Sequence, residues 1–386
     1  MGQLIQEFKS FFRKGDMVLL LLCLLTTAFG VVMIASTTNY MGTAQVRYII
    51  IQFVATAAGV LLYAIISSID VEFFSEHRMA LAVFNCFLLF MLIPFGSTIS
   101  GNRSWLDFPF LPFNIQVAEV CKITYILIMA SVMASYQNRL NSFRSVFTMV
   151  FHLGLLVGLN LVLSSDMGVS LIFVFIFIGM AFAGGVSLWW FLAAVGLVTV
   201  AAPVAWNYIL DDYQKLRIEI LFNPELDAEG TGARYHTKMS LKSLTGGGLT
   251  GQGLFNGTRT QDEDSHLYAQ HTAYIFSAIG EELGFFGCLF TVVLLVLIIA
   301  RCIYVGTRSQ DFMRRVVCFG AASALIFQVV INTGMCIGVM PVIGLTLPFV
   351  SYGGSSILTL YAMLGLVSGV HARPSPTSHE RYIRPY

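Results

Sequence analysis

Ten apolar runs, each close to the length of a membrane-crossing helix, restrict this chain more than any other feature. A spanning helix needs about 20 largely apolar residues, because lipid offers the backbone no hydrogen-bond partner and a helix satisfies its own. Such runs fall at about 17–37, 48–68, 79–96, 115–135, 146–163, 168–184, 187–208, 273–300, 314–337 and 346–370. A soluble core could in principle absorb a few of them. With 56% of 386 residues hydrophobic, 11% charged and a mean hydropathy of +0.77, the apolar excess is too large for that. The expected fold is an all-α polytopic membrane protein of ten transmembrane helices, a single integral membrane domain over 1–386. The first run is too long for a signal-peptide core and is followed by more spans, so it is read as retained.

An even number of spans puts both termini on one side. Lys9, Arg13, Lys14, Arg78, Arg139, Arg144, Arg301, Arg308, Arg314, Arg315, Arg373, Arg381 and Arg384 gather at that side, against Arg47 and Arg103 in the short loops of the other. The positive-inside rule then makes both termini and a tail at 371–386 cytoplasmic, in a bacterial inner membrane on the resemblance given below. One large extracellular loop, about 210–270, separates spans 7 and 8. Its mixed charge and the chain's net charge of +1 offer no surface for nucleic acid. The seven cysteines sit in or at the ends of spans without a C-x-x-C pair, which points to packing and away from disulfides or zinc.

Polar residues at membrane depth are expensive and tend to face a bundle interior or a wet cavity. Glu119 and Lys122 stand three apart in "NIQVAEVCKITY", so they share a helix face as an ion pair or as the lining of an outward cavity. Asp166 in "SSDMG" opens the sixth span, where an acid caps backbone N–H groups and suits the helix dipole. "SLKSLTGGGLTGQGLFNG", from Ser240, is glycine-rich without the pattern of a nucleotide-binding P-loop. "PFVSYGGSS" interrupts the last run with Pro348, Gly353 and Gly354, and a helix starting between Ser351 and Ser356 would aim N–H groups at an anion. "HTAYIFSAIGEELG" begins with Thr272 as a candidate N-cap and carries Glu281 and Glu282 two to three turns inside the span.

These motifs resemble the SEDS family, the ten-span RodA, FtsW and SpoVE glycosyltransferases that polymerise peptidoglycan from lipid II in cell elongation, division or sporulation. "PFVSYGGSS" (348–356) and "HT-x-Y-IF…EELG" (271–284) carry the resemblance; "RSWL" (103–106), "IQVAEVCK" (115–122), "SSDMG" (164–168) and "YQKLRI" (213–218) match more weakly, in the right order. The resemblance implies transfer at the outer membrane face, in which a carboxylate deprotonates the acceptor hydroxyl and undecaprenyl pyrophosphate leaves. It also implies a divalent cation, magnesium or manganese, and a class B penicillin-binding protein as partner. The implied catalytic set is position 273 with Glu281, Lys122 and Glu119. Arg103, Trp105, Asp166, Ser240, His271, Thr272, Ser351, Tyr352, Gly353, Gly354 and Ser355 are the implied substrate-binding positions, and no metal ligands are assigned.

The departures are as informative as the matches. The family motif reads His-Thr-Asp-Phe, whereas this chain has Ala273, and a methyl group accepts no proton. Three accounts stay open: an engineered base-deleted variant, a divergent non-catalytic member, or another acid as base, from Asp262, Glu263, Asp264 or Glu281. Val117, Ala118, Ser104 and Ser164–Ser165 also depart from the family pattern. Besides polymerisation, two functions suit the features: a scaffold or regulator of the transpeptidase, and a lipid II flippase. Glu119, Lys122 and Glu281 are expected to converge on one outward cavity, with Trp105 and Asp166 at its rim.

Overall fold

The computed structural model describes residues 15–99, 102–108, 113–208, 210, 212–227, 232, 234–262, 267 and 269–373. Ten helices within them are long and apolar enough to cross a membrane. In chain order they are α1 (Met17–Thr37), α2 (Thr43–Ser68), α3 (Arg78–Phe95), α4 (Val117–Ser135), α5 (Phe143–Ser164), α6 (Met167–Gly184) and α7 (Leu188–Tyr208). Two shorter helices, α8 (Asp212–Phe222) and α9 (Tyr235–Gly247), occupy the polar insertion before the last three spans, α10 (Ile275–Arg308), α11 (Phe312–Cys336) and α12 (Gly354–Ala372). A small antiparallel sheet joins α3 to α4: β1 (Gly96–Ile99), β2 (Asn102–Leu106) and β3 (Ile115–Gln116), in that order.

The spans are not equivalent. α4, α11 and α12 are buried along most of their length, whereas α7 buries no residue at all. All-round hydrophobicity therefore means two different things here: in α12 it packs against protein, and in α7 it is left exposed, as suits a helix whose surroundings are apolar. Asp16 caps α1 by accepting from the Leu19 N–H at 3.0 Å, and its carboxylate also pairs with Arg301 of α10 at 2.8 Å. Arg314 of α11 pairs with Asp70 and Glu72. At the end of the bundle that the basic residues mark, each of these charges has an opposite partner.

The glycine-rich stretch has a specific task. α10 is broken at Gly284 (φ 67°, ψ −161°), which frees two carbonyls and two N–H groups in the middle of a span. The N–H groups of Gln252 and Gly253 donate to the Glu281 and Glu282 carbonyls, each at 2.9 Å. In return Phe285 and Phe286 donate to the carbonyls of Gly248 (2.9 Å) and Leu249 (3.2 Å). The loop is spliced into the break, and all four orphaned groups are satisfied. A Cβ on Gly251, itself at φ +81°, would lie 2.1 Å from the Glu282 carbonyl oxygen, and one on Gly247 would lie 1.9 Å from that of Gly280. Only glycine allows so close an approach.

Several boundaries differ from expectation, among them the start of α2, which lies at Thr43 and not near 48. α10 continues to Arg308, past 300. The last helix starts at Gly354, not near 346: Pro341 and Pro348 supply no N–H, Gly344 and Phe349 take positive φ (79° and 63°), and the stretch is held by side chains instead. Thr272 does not cap α10, which begins at Ile275; its hydroxyl donates to the Ala269 carbonyl at 3.2 Å in the preceding turn. The tail beyond Arg373, and the candidate bases Glu263 and Asp264, lie outside the described residues.

Candidate functional site

The two most specific motifs meet. Tyr352 donates its N–H to the His271 carbonyl at 2.9 Å, and the Ser351 hydroxyl donates to the Thr272 carbonyl at 2.7 Å. The third carbonyl of this run, that of Ala273, accepts from the Asn332 side chain of α11 at 2.8 Å; Asn332 also donates to the Leu345 carbonyl at 2.6 Å. The backbone of 271–273 is thus fixed residue by residue by the loop that precedes α12 and by α11. On the other flank the rings of His271 and Tyr352 pack edge-on against Tyr48 of α2, at 5.0 and 4.8 Å. Gln52, one turn further along α2, donates to the Ser351 carbonyl (3.4 Å) and accepts from the Gly353 N–H (3.3 Å). A rigid platform results, with Ala273 on it at 7% exposure.

Ser240 of α9 joins the platform from the side: its hydroxyl donates to the Cys336 carbonyl at 2.7 Å and bonds the Ser277 hydroxyl. Its polar atom is spent on positioning α9 against α10 and α11. Arg103 is likewise a brace, donating to the Gly96 and Ile93 carbonyls at 3.2 and 2.7 Å. Trp105 pairs across the sheet with Ser97 and Gln116.

Glu119 and Lys122 form an ion pair at 2.8 Å, both nearly fully buried in α4. The second carboxylate oxygen accepts from Thr359 of α12 at 2.9 Å, so the pair ties α4 to α12. Beside it Ser355, in the first turn of α12, accepts from the Gln116 N–H at 3.4 Å. Asp166 caps α6 through the Val169 N–H (3.1 Å) and accepts from Ser104 of β2 (3.2 Å). Burial pushes the Asp166 carboxyl up from its ordinary value, its hydrogen bonds hold it down in part, and the nearby charge of Glu119 adds to the rise. Glu119, Lys122, Asp166 and the start of α12 therefore make one polar cluster.

Glu281 belongs elsewhere. Its carboxylate accepts from the Arg259 N–H and the Thr260 hydroxyl, both at 2.8 Å, and from the Thr258 hydroxyl at 3.2 Å. Glu282 accepts from Ser36 of α1 (2.5 Å), Gln261 (2.9 Å) and the Phe255 N–H (3.3 Å). The expected convergence of Glu281 with Glu119 and Lys122 is replaced by two separate clusters. Adjacent residues on a helix point about 100° apart, and here both directions end in the 255–261 loop, whose N–H groups and hydroxyls fill the two carboxylates. This answers why so apolar a span carries two acids.

Among the described residues no three His, Cys, Asp or Glu side chains are grouped to hold a metal ion. All seven cysteines are free and at least partly buried. Sequence reasoning missed Asn332, Gln52, Tyr48 and Thr359. For Asn332 and Gln52 the signal is a neutral amide within an apolar run, which is costly at membrane depth without a partner; Tyr48 and Thr359 carry no comparable signal.

A family model described as cell cycle protein, FtsW/RodA/SpoVE, matches residues 16–375. This chain belongs to that family. The SEDS members similar to it include the peptidoglycan glycosyltransferase MrdB of Escherichia coli K12, 32% identical over 323 residues, which are 82% of this chain and 83% of MrdB. The probable peptidoglycan glycosyltransferase FtsW of Coxiella burnetii is 31% identical over 350 residues, 88% of this chain and 91% of that one. Among solved structures, a chain of a peptidoglycan synthase complex that coordinates polymerization and crosslinking superposes with a TM-score of 0.77 at 28% identity, over 96% of this chain and 99% of that chain. The rod shape determining protein RodA of Thermus thermophilus, in an aspartate-to-alanine mutant form, superposes with a TM-score of 0.69 at 26% identity, over 94% and 99% of the two chains. This SEDS protein is thus a multi-pass protein of the bacterial inner membrane, in a family of peptidoglycan glycosyltransferases that serve elongation and division.

Proposed function

We propose that this protein is a lipid II polymerase fold whose general base has been removed at position 273. The observation that carries the reading is the fixed backbone of 271–273, with Ala273 at the junction of the two family motifs. In the reaction, an acceptor sugar hydroxyl attacks the anomeric carbon of the lipid-linked donor. The new C–O bond forms as the bond to pyrophosphate breaks, undecaprenyl pyrophosphate leaves, and the hydroxyl proton passes to a base within hydrogen-bond reach. A carboxylate on the 273 platform would be held by backbone contacts that do not involve its own side chain. Alanine keeps that backbone and deletes the acceptor. Glu281 does not suit the missing role, because its carboxylate is filled by the loop. Among the described residues no three His, Cys, Asp or Glu side chains are grouped to hold a divalent cation.

The test is polymerisation of lipid II by the purified protein with a class B penicillin-binding protein, comparing this chain with Ala273→Asp. Glycan strands from the aspartate form alone support the reading; strands from both forms mean that another acid is the base. The substitution itself favours a second reading, a non-catalytic scaffold for the transpeptidase. That reading takes over if neither form polymerises while the transpeptidase is still retained.

A further inference from the structure

At the opposite end of α10 from the broken segment, a cavity of about 250 Å³ opens between the C-terminal ends of α10 and α12. Tyr304, Val305, Arg308, Ser309, Val370, His371 and Arg373 line it. By span parity and the arginine bias this is the face assigned to the cytoplasm.

Its charge is one-sided. Of the acids on neighbouring elements, Asp16 pairs with Arg301, Asp70 and Glu72 pair with Arg314, and Asp311 accepts from the Arg314 N–H at 2.9 Å, while the exposed Glu76 forms no ion pair with Arg308 or Arg373. Arg308 and Arg373 have no ion-pair partner among the described residues. Arg308 lies over the Tyr304 ring at 5.4 Å, and Arg301 lies over the same ring at 5.1 Å. Arg373 donates to the Ser68 carbonyl, while its Nη1 is buried without a hydrogen-bond partner. The C-terminal ends of α10 and α12 contribute roughly half a negative charge each, which two guanidinium groups exceed.

The surroundings suit a lipid better than a free ion. Val293, Leu297 and Tyr304 of α10 are all exposed and recur at helical spacing on one face. Eleven residues at 1.5 Å each make a track of about 16 Å, which is about one leaflet of a hydrocarbon core roughly 30 Å thick. The cavity lies at the foot of that track, with an aromatic ring at its mouth and hydrogen-bond donors behind it. Below the roughly 300–1,000 Å³ of ordinary small-molecule pockets, it has room for a headgroup and not for a whole lipid.

We propose that this cavity binds the phosphate of an anionic phospholipid, with Arg308 and Arg373 on the headgroup and an acyl chain along α10. The site is independent of position 273 and of any polymerase activity. Basic pockets between spans on the cytoplasmic side are a recurrent form of lipid recognition.

The experiment is native mass spectrometry of the full-length protein in detergent, titrated with phosphatidylglycerol, phosphatidylcholine or inorganic phosphate. Phosphatidylglycerol should be retained in preference to phosphatidylcholine. Arg308→Gln should weaken that retention about fivefold and Arg308→Gln/Arg373→Gln about twenty-five-fold, from the usual contribution of one arginine at an anionic surface. Arg144→Gln, which removes the same charge from the first turn of α5 on the same face, should leave it unchanged. Arg373→Gln also loses the Ser68 contact, so the exposed Arg308 decides where the double variant folds poorly. Unchanged retention in Arg308→Gln, or an equal loss in Arg144→Gln, overturns the site. Displacement of the lipid by inorganic phosphate at equal concentration overturns the assignment to a lipid.

Discussion

Replacing Gly251 by alanine tests whether the loop really completes the broken helix. The residue sits at φ +81°, so an L side chain there costs about 1–2 kcal/mol from backbone strain alone. The added methyl would also lie 2.1 Å from the Glu282 carbonyl oxygen, with the Glu282 carbonyl carbon and the Leu283 N next nearest, so the overlap is with backbone that cannot swing aside. Relief requires the 248–253 segment to withdraw from α10. That puts at risk the bonds from Gln252 and Gly253 to α10, each worth about 0.5–1.5 kcal/mol net. The total comes to about 2–5 kcal/mol. Gly42→Ala is the control: φ is +58° and nothing lies within 4 Å of its Cβ, so it carries strain without overlap. The assay is amide hydrogen exchange in detergent, read at Phe285 and Phe286. Gly251→Ala should speed their exchange by about one and a half to three and a half decades, at about 1.4 kcal/mol per decade, and Gly42→Ala should leave it unchanged. Equal protection in the two variants would refute the splice.

Three further outcomes follow from the same geometry. Lys122→Met leaves Glu119 buried without its cation and should cost about 3–5 kcal/mol, seen as a lowered unfolding midpoint; adding Glu119→Gln should recover most of it. Burial raises the Asp166 carboxyl in the folded state, so its contribution to stability is full below the unfolded value of about 3.9 and is lost as pH rises through the folded value. Melting curves of Asp166→Asn should lack that fall, although the acid profile of the rest of the chain persists. Glu281→Ala removes the acceptor for three donors from 258–260 and should make the loop protease-sensitive while the bundle stays folded; a loop as resistant as before would mean that those bonds hold nothing.

Much of the architecture was legible because its cause is local. Lipid demands apolar runs of fixed length, and all ten spans could be located from that demand, with ends shifted where prolines or a left-handed residue stop the helix. The Glu119–Lys122 pair and the Asp166 cap were legible for the same reason, since partners lie three residues apart or within one turn. The glycine-rich stretch was noticed and its purpose was not. Its partners are carbonyls and N–H groups of α10, about thirty residues away, and backbone groups carry no signature in a sequence.

The sequence by itself determined a ten-span membrane bundle, the family motifs and the absence of a carboxylate at position 273. Only the tertiary structure decided what the remaining polar groups do. Glu281 reads like an active-site acid, but the folded loop fills its carboxylate as it does that of Glu282. Ser351, Tyr352 and Asn332 hold the backbone of 271–273 across three separate segments. The physical reason is that the cost of burying a polar group is set by its residue type, whereas the partner that offsets the cost is set by which distant segment packs beside it.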